Sequence, residues 1–334
     1  MTLKIGVIGT GMIGQDHIRR ITDVLAGGRV VAVTDADRSR AETAAEKPGA
    51  TVYDDAASLI AAPEVDAVLI CSWGPAHEEA ILPALDAGKP VFCEKPLAPE
   101  QDACLRIIDA EVKHGRRLIQ VGFMRRYDTA YRALKETLAA GKVGAPLMYH
   151  AAHRNASVPA DLYTSDMAIS DTMVHDIDVA RWLLDDEVAR VRVMAGRRNS
   201  VGGDLRDPIF AVMEMRGGVL ATVEISVNIG YGYDIRGEVS GETGTIELAE
   251  ANPVVLKAGD GFSGRVPADW RERFIDAYDR EICAWIEAAS AGGATGPSAW
   301  DGYAITAVSD AGLRAAETGE AVEVHLVDRP DIYA

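Results

Sequence analysis

Short apolar runs alternate with amphipathic stretches through the first third of the chain. The runs are Leu3–Ile8, Val30–Asp35, Thr51–Tyr53, Val65–Ser72, Pro90–Glu94 and Leu118–Phe123. Between them, Met12–Leu25, Arg38–Lys47, Ala76–Ala87 and Pro99–His114 carry apolar residues at helical spacing. Strands that are apolar on both faces and separated by helices predict a parallel sheet covered on both sides. Gly88-Lys89-Pro90 and Gly115-Arg116-Arg117 read as helix stops before the next strand. The pattern is that of a doubly wound α/β domain over residues 1–123.

Beyond residue 123 the rhythm changes. Tyr127–Ala140 reads as a helix, Leu147–Asn155 as a strand and Met167–Leu184 as a second helix. Val188–Arg197, Ile209–Met215, Val219–Asn228, Tyr233–Gly241, Thr245–Leu248 and Val254–Lys257 then follow as strands, with little room for crossover helices. Turns at Arg216-Gly217-Gly218 and Glu242-Thr243-Gly244 suit hairpins. Helices over Trp270–Ala289 and Ala299–Thr318 and a strand at Val322–Leu326 complete the prediction. Residues 124–334 are therefore expected to form an α+β domain on a large open, mostly antiparallel sheet. In Ile209–Met215, Ile209, Ala211, Met213 and Met215 are apolar on one face, and Phe210 and Val212 on the other. The closing helices can cover only one of these, so a homo-oligomer packed through the sheet is expected.

Composition narrows the classes. A length of 334 residues favours two cores over one. With 48% hydrophobic and 25% charged residues, the chain is neither disordered nor fibrous. No stretch reaches the roughly eighteen apolar residues of a membrane helix. The N-terminal run is interrupted by Gly6, Gly9 and Gly11, unlike a signal peptide. Cys71, Cys93, Cys104 and Cys283 form no CxxC pair, which suits reduced thiols and a cytoplasmic protein. The formal charge of −17 repels phosphate backbones and disfavours nucleic acid as a partner. Any phosphate the protein does hold must be gripped by local dipoles.

Gly9-Thr10-Gly11-Met12-Ile13-Gly14 supplies such a grip. It follows the first strand and opens the first helix, the setting in which GxGxxG turns tightly, lets backbone approach a pyrophosphate and packs helix on strand. The first domain is thus a Rossmann domain. Asp35 ends the second strand, where a carboxylate accepts from the adenosine ribose hydroxyls. A 2′-phosphate about 4 Å away would be repelled by roughly 4 kcal/mol at an effective dielectric of 20. NAD is therefore expected over NADP, although Arg38 and Arg40 lie just beyond.

Two polar clusters mark chemistry. Glu94-Lys95-Pro96 sits at the carboxyl end of the fifth strand, outside which open α/β sheets bind ligands. In Asp171-Thr172-Met173-Val174-His175-Asp176-Ile177-Asp178, Asp171 and His175 are four apart and share a helix face. Oxidising an alcohol needs a base for the hydroxyl proton and a cation for the developing alkoxide. His175, oriented by Asp171, and Lys95 fit those parts, with a rate that rises with pH as the histidine loses its proton. A metal on His150, His153 and His175 is disfavoured, because strand residues three apart face opposite sides.

At these residues the chain resembles the family that includes glucose–fructose oxidoreductase and inositol dehydrogenase, with its GxGxxG loop, Glu-Lys-Pro motif and downstream Asp-x-x-x-His. Cys71-Ser72-Trp73-Gly74-Pro75-Ala76-His77, Val121–Asp128, Ala152-His153-Arg154-Asn155, Tyr231-Gly232-Tyr233-Asp234 and Trp300-Asp301-Gly302-Tyr303 are similar to the family's inositol dehydrogenases. The resemblance implies that Lys95, Asp171 and His175 form a catalytic triad. It implies that Gly9, Gly11, Met12, Ile13, Gly14, Asp35, Ser72, Trp73, His77, Glu94 and Lys95 hold NAD. It further implies that Arg125, His153, Asn155, Asp171, His175, Tyr233 and Tyr278 receive a polyol. The expected reaction is oxidation of an inositol C2 hydroxyl to the inosose, by a homotetramer acting on a small molecule. Scyllo-inositol, glucose and amino-cyclitol oxidation stay open, as does a non-catalytic NAD sensor. The loop Ala156–Leu162 flanks the implied polyol residues and bears on which substrate is preferred.

Overall fold

The computed structural model describes residues 2–249 and 254–334. The first eleven elements are β1 (Leu3–Ile8), α1 (Met12–Asp23), β2 (Gly28–Thr34), α2 (Arg38–Glu46), β3 (Thr51–Val52), α3 (Ala56–Ala61), β4 (Ala67–Ile70), α4 (His77–Asp86), β5 (Val91–Glu94), α5 (Gln101–Lys113) and β6 (Ile119–Gly122). Then come α6 (Thr129–Ala139), β7 (Pro146–Arg154), α7 (Val174–Leu184), β8 (Val188–Ala195), β9 (Ile209–Met215), β10 (Leu220–Ser226), β11 (Asp234–Gly241) and β12 (Thr245–Glu247). A hairpin of β13 (Leu256–Ala258) and β14 (Gly261–Ser263), helices α8 (Trp270–Ser290) and α9 (Ala299–Thr318), and β15 (Val322–Glu323) follow.

These pack as two compact units. One comprises Met1–Met124, Tyr278–Thr306 and Val327–Ala334; the other Arg125–Ala277 and Ala307–Leu326. The first cut falls one residue beyond the change of rhythm, but the C-terminal helices return to the first unit in part. An amphipathic stripe announces that a helix packs, not which sheet it packs on. Here Ile282, Trp285, Ile286 and Ala289 of α8 share one buried cluster with Leu3, Ile5 and Val7 of β1. Each large aliphatic side chain among them contributes about 1.5–3 kcal/mol of burial.

The first unit holds a six-stranded sheet in the order β3-β2-β1-β4-β5-β6, every pair parallel. The order reverses between β1 and β4, the switch point at which open α/β sheets bind ligands. Helix α1 buries Gly14, His17, Ile18 and Ile21 on one stripe. Helix α3, six residues capped by Asp55, is too short for its periodicity to be legible in the sequence. At the other end of the sheet, buried Glu111 accepts from the backbone N–H groups of Leu118 (2.5 Å) and Ile119 (2.6 Å) and from the Tyr333 hydroxyl (2.5 Å). Burial raises the Glu111 carboxyl above its ordinary pKa against these bonds. Tyr333→Phe removes one of the three and is expected to cost about 1–2 kcal/mol. Urea denaturation showing no shift of midpoint would mean that this C-terminal latch carries no stability.

The second unit holds a seven-stranded sheet in the order β12-β11-β7-β10-β9-β8-β15. All its pairs are antiparallel except β7 with β10. On β9, Ile209, Ala211, Met213 and Met215 are buried, whereas Phe210, Val212 and Glu214 on the opposite face are half-buried. The expected single helix over Met167–Leu184 is corrected to two pieces, a π-helical turn at Ala168–Thr172 and then α7. Buried Tyr163 donates to or accepts from Thr172 Oγ1 at 2.6 Å, tying this turn to the end of the preceding loop. Such side-chain ties stabilise a turn whose own hydrogen-bond ladder is interrupted.

Candidate active site

In the first unit, the expected cofactor residues gather at the carboxyl ends of β1, β2, β4 and β5. Gly9 has φ +91°, and a Cβ there would lie 2.4 Å from the Ser72 nitrogen. A Cβ on Gly14 would lie 2.1 Å from the Gly9 oxygen. Gly9 must therefore be glycine for its backbone conformation and for the close approach of the loop after β4, and Gly14 to seat α1 against the glycine turn. At Gly11, the N-cap of α1, an added Cβ would meet nothing within 4 Å. The first-turn N–H groups of Met12, Ile13 and Gly14 have no intrahelical acceptor by helix geometry, so this open space is a cradle for an anion. The residues fit a dinucleotide pyrophosphate.

Asp35 Oδ2 accepts from the Thr10 backbone N–H (2.6 Å) and hydroxyl (3.1 Å), and Oδ1 from the Asp37 N–H (2.9 Å). The carboxylate is thereby fixed beside the glycine loop. Capping of α2 falls to Asp37, which accepts from the Ser39 N–H at 3.0 Å. The nearby guanidiniums are engaged by carboxylates, Arg38 by Glu42 and Asp54 and Arg40 by Asp37.

Ser72 follows β4, and its carbonyl lies 2.9 Å from His77 Nε2; the other His77 nitrogen lies 2.7 Å from the Pro96 carbonyl. His77 thus clasps the loop after β4 to the loop after β5. Burial lowers its pKa, so the neutral ring donates to one carbonyl at a time. Trp73 projects its indole into solvent. Lys95 stands just past β5, held by buried Glu94, whose Oε2 accepts the Lys95 N–H at 3.2 Å. Oε1 of Glu94 lies 2.8 Å from Nε2 of fully buried His17. His17 also faces the ring of Tyr278 at 5.9 Å, and the Arg20 guanidinium lies over that ring at 4.9 Å. His17 was not among the expected residues. Its signal was a histidine on the buried stripe of α1, between Gly14 and Ile18.

The second unit carries Arg125, His153, Asn155, Asp171, His175 and Tyr233. Arg125 is fully buried and donates from Nη1 to Asp176 Oδ1 at 2.6 Å. Asp176 Oδ2 lies 2.8 Å from His153 Nδ1. Tyr233 Oη lies 3.4 Å from His153 Nε2, with its ring edge-on to the imidazole at 5.6 Å. The His175 ring lies 6.4 Å from that of His153. Asn155 follows β7, with its backbone bonded to Ser226 and Ile229. Asp171 lies in the π-helical turn and His175 at the start of α7; both are half-buried, while Thr172, Met173 and Val174 between them are buried. His150 lies on the opposite face of β7 from His153, 2.9 Å from Thr222 Oγ1.

Helix α7 is buried over most of its length, and its buried charges are paired. Asp176 holds Arg125, Asp178 takes Arg126 in a fork at 2.5–3.1 Å, and Arg181 takes Glu187. The two pairings with Arg125 and Arg126 were not expected from the sequence. The signal was Arg125-Arg126 matched by Asp176 and Asp178, two consecutive cations against two carboxylates, all in otherwise apolar surroundings.

Residues 3–123 match the family model described as an oxidoreductase family with an NAD-binding Rossmann fold, and residues 135–324 match its C-terminal alpha/beta domain. An inositol 2-dehydrogenase of Serratia proteamaculans is 52% identical over 336 residues, covering 100% of this chain and 99% of that protein. One of Saccharopolyspora erythraea, inositol 2-dehydrogenase 3, is 50% identical over 334 residues, covering 100% and 98%. Among solved structures, the myo-inositol dehydrogenase of Lactobacillus casei in complex with NAD(H) and myo-inositol is 40% identical, with a TM-score of 0.97 and full coverage of both chains. The scyllo-inositol dehydrogenase of the same organism, bound to NAD(H) and scyllo-inositol, is 27% identical, with a TM-score of 0.90 over 97% of this chain and 99% of that one.

Proposed function

The chain belongs to the oxidoreductase family with an NAD-binding Rossmann fold and a C-terminal α/β domain, and from that membership we propose that it oxidises the C2 hydroxyl of an inositol to the inosose. The observation that carries the substrate is identity of about half over the whole chain with inositol 2-dehydrogenases. Bound NAD would supply the hydride acceptor, at C4 of its nicotinamide. The glycine loop and Asp35 would hold the pyrophosphate and the adenosine ribose. His175 takes the proton of the reacting hydroxyl, and Asp171 orients and favours that proton transfer. The Lys95 ammonium stabilises negative charge on the same oxygen as the carbinol hydrogen departs. Arg125, His153, Asn155, Tyr233 and Tyr278 match the remaining hydroxyls with donors and acceptors, which a substrate made only of hydroxyls requires. A protein serving only as an NAD sensor would have no use for these groups.

The test is initial rates of NAD reduction across a panel of inositols and hexoses. Myo-inositol is expected to give the highest kcat/KM. A hexose or scyllo-inositol exceeding it would overturn the substrate while leaving the dehydrogenase reading in place. With NADP in place of NAD, kcat/KM is expected to fall about thirty-fold or more, because a 2′-phosphate facing Asp35 costs about 2 kcal/mol after solvent screening. Equal use of both cofactors would remove Asp35 from the ribose.

The protein's assembly is proposed on the open face of the seven-stranded sheet. Cross-strand neighbours there include Met194 with Phe210 and Leu220 with Met148, while Glu224 stands between Phe210 and Ala152. Met148, Met194 and Leu220 are each about two-fifths exposed in the single chain. A second copy would cover this face, and a homotetramer is the assembly we propose. Light scattering at micromolar concentration is expected to give a multiple of the chain mass; a monomer would refute it.

A further inference from the structure

Asp176 has no part in the chemistry assigned above, yet it is fully buried beside the groups that do. Burial pushes its carboxyl pKa up, but Arg125 and His153 outweigh that and hold it below the ordinary value. It is therefore a buried carboxylate, and both oxygens need N–H partners. Oδ1 takes Nη1 of Arg125 at 2.6 Å, and Oδ2 faces Nδ1 of His153 at 2.8 Å.

This requirement fixes the His153 ring. A carboxylate oxygen at that distance needs a hydrogen on Nδ1, since a bare lone pair would set two acceptors against each other. Arg125 Nη2 also lies 2.9 Å from Nδ1, but a guanidinium only donates, and a nitrogen already carrying its proton cannot accept. The acceptor is the other nitrogen. Nε2, the ring's acceptor in this tautomer, lies 3.4 Å from Tyr233 Oη and 3.5 Å from Arg125 Nη2.

We infer that Asp176 is a positioning residue: by holding the Nδ1–H tautomer of His153 it makes Nε2 the acceptor for a substrate hydroxyl, and by gripping Arg125 it fixes a cationic donor alongside. The inference rests on the reading that His153 and Arg125 hold the polyol. It makes Asp176 a determinant of which hydroxyl pattern is accepted, because reversing one buried donor–acceptor pair leaves two groups unmatched.

Asp176→Asn separates this from a purely structural role. Asparagine has one oxygen. Arg125, always charged and only a donor, claims it, so the amide N–H must face His153 Nδ1. The ring then moves its proton to Nε2. In 15N spectra of histidine-labelled enzyme at alkaline pH, with His153 assigned by its loss in His153→Gln, the wild type is expected to show a protonated Nδ1 and a bare Nε2. Asp176→Asn is expected to reverse them, and Asp176→Glu to preserve the wild-type pattern. In the Asn variant, KM for myo-inositol should rise about ten- to a hundred-fold with kcat changed less and the NAD dissociation constant unchanged. A protonated Nε2 in the wild type, an unreversed ring in Asp176→Asn, or an unchanged KM would overturn the inference. Should Asp176→Asn fail to fold, the wild-type and Asp176→Glu spectra still decide the tautomer. If the tautomers behave as stated and no inositol is oxidised, the substrate reading fails and the control of the ring by Asp176 stands.

Discussion

Replacing His175 by alanine is expected to lower kcat for inositol oxidation by about two to four orders of magnitude, the range a positioned general base contributes. The residue begins α7 and stays half-buried in a helix whose flanking positions are buried. Its ring lies 6.4 Å from that of His153, within the second unit's polar cluster. Packing around it is supplied by its neighbours, so truncating the imidazole removes the proposed proton acceptor with modest loss of core contact. The expected signature is a fallen kcat with NADH binding unchanged by fluorescence titration, and partial rescue by added imidazole. A variant within tenfold of wild type would remove His175 from the proton transfer and point to another base.

The second large effect is expected at Lys95. Lys95→Ala should cut kcat by about two to three orders of magnitude, as the loss of a charge-stabilising donor does. Its backbone N–H is held by Glu94, which is itself bonded to buried His17, so the strand end keeps its shape when the side chain is shortened. Cofactor titration distinguishes the roles: NAD should bind with near wild-type affinity. Loss of NAD binding would instead make Lys95 a cofactor residue. If the two act on one hydroxyl, as proposed, the double variant with His175→Ala should be much less impaired than the product of the single losses. Full multiplicativity would mean that the two act on separate steps.

Much of this was legible along the chain. Alternating apolar runs gave the strands of the first unit, and β9 falls on the predicted Ile209–Met215. The glycine loop was readable because its turn and its helix contact are local: Gly9 has φ +91° and Gly14 packs on the Gly9 oxygen, although the close approach of Ser72 to Gly9 comes from the neighbouring strand. The expected helix over Met167–Leu184 missed its π-helical turn, because the apolar spacing continues across it and only the hydrogen-bond ladder changes.

Sequence by itself determined most of the strands and helices, which strand ends carry Gly9–Gly14, Asp35 and Lys95, and that Asp171 and His175 are four residues apart. These depend on neighbours a few residues away, where side-chain period and backbone geometry are set. Tertiary structure alone decided the partners. Arg125 meets Asp176 across 51 positions, and His17 meets Glu94 across 77. Half of α8 joins the β1 core although it lies at the far end of the chain. A buried charge must find its counterpart wherever the sheet order and helix packing bring one within reach. No local pattern of apolar and polar residues records which counterpart that is.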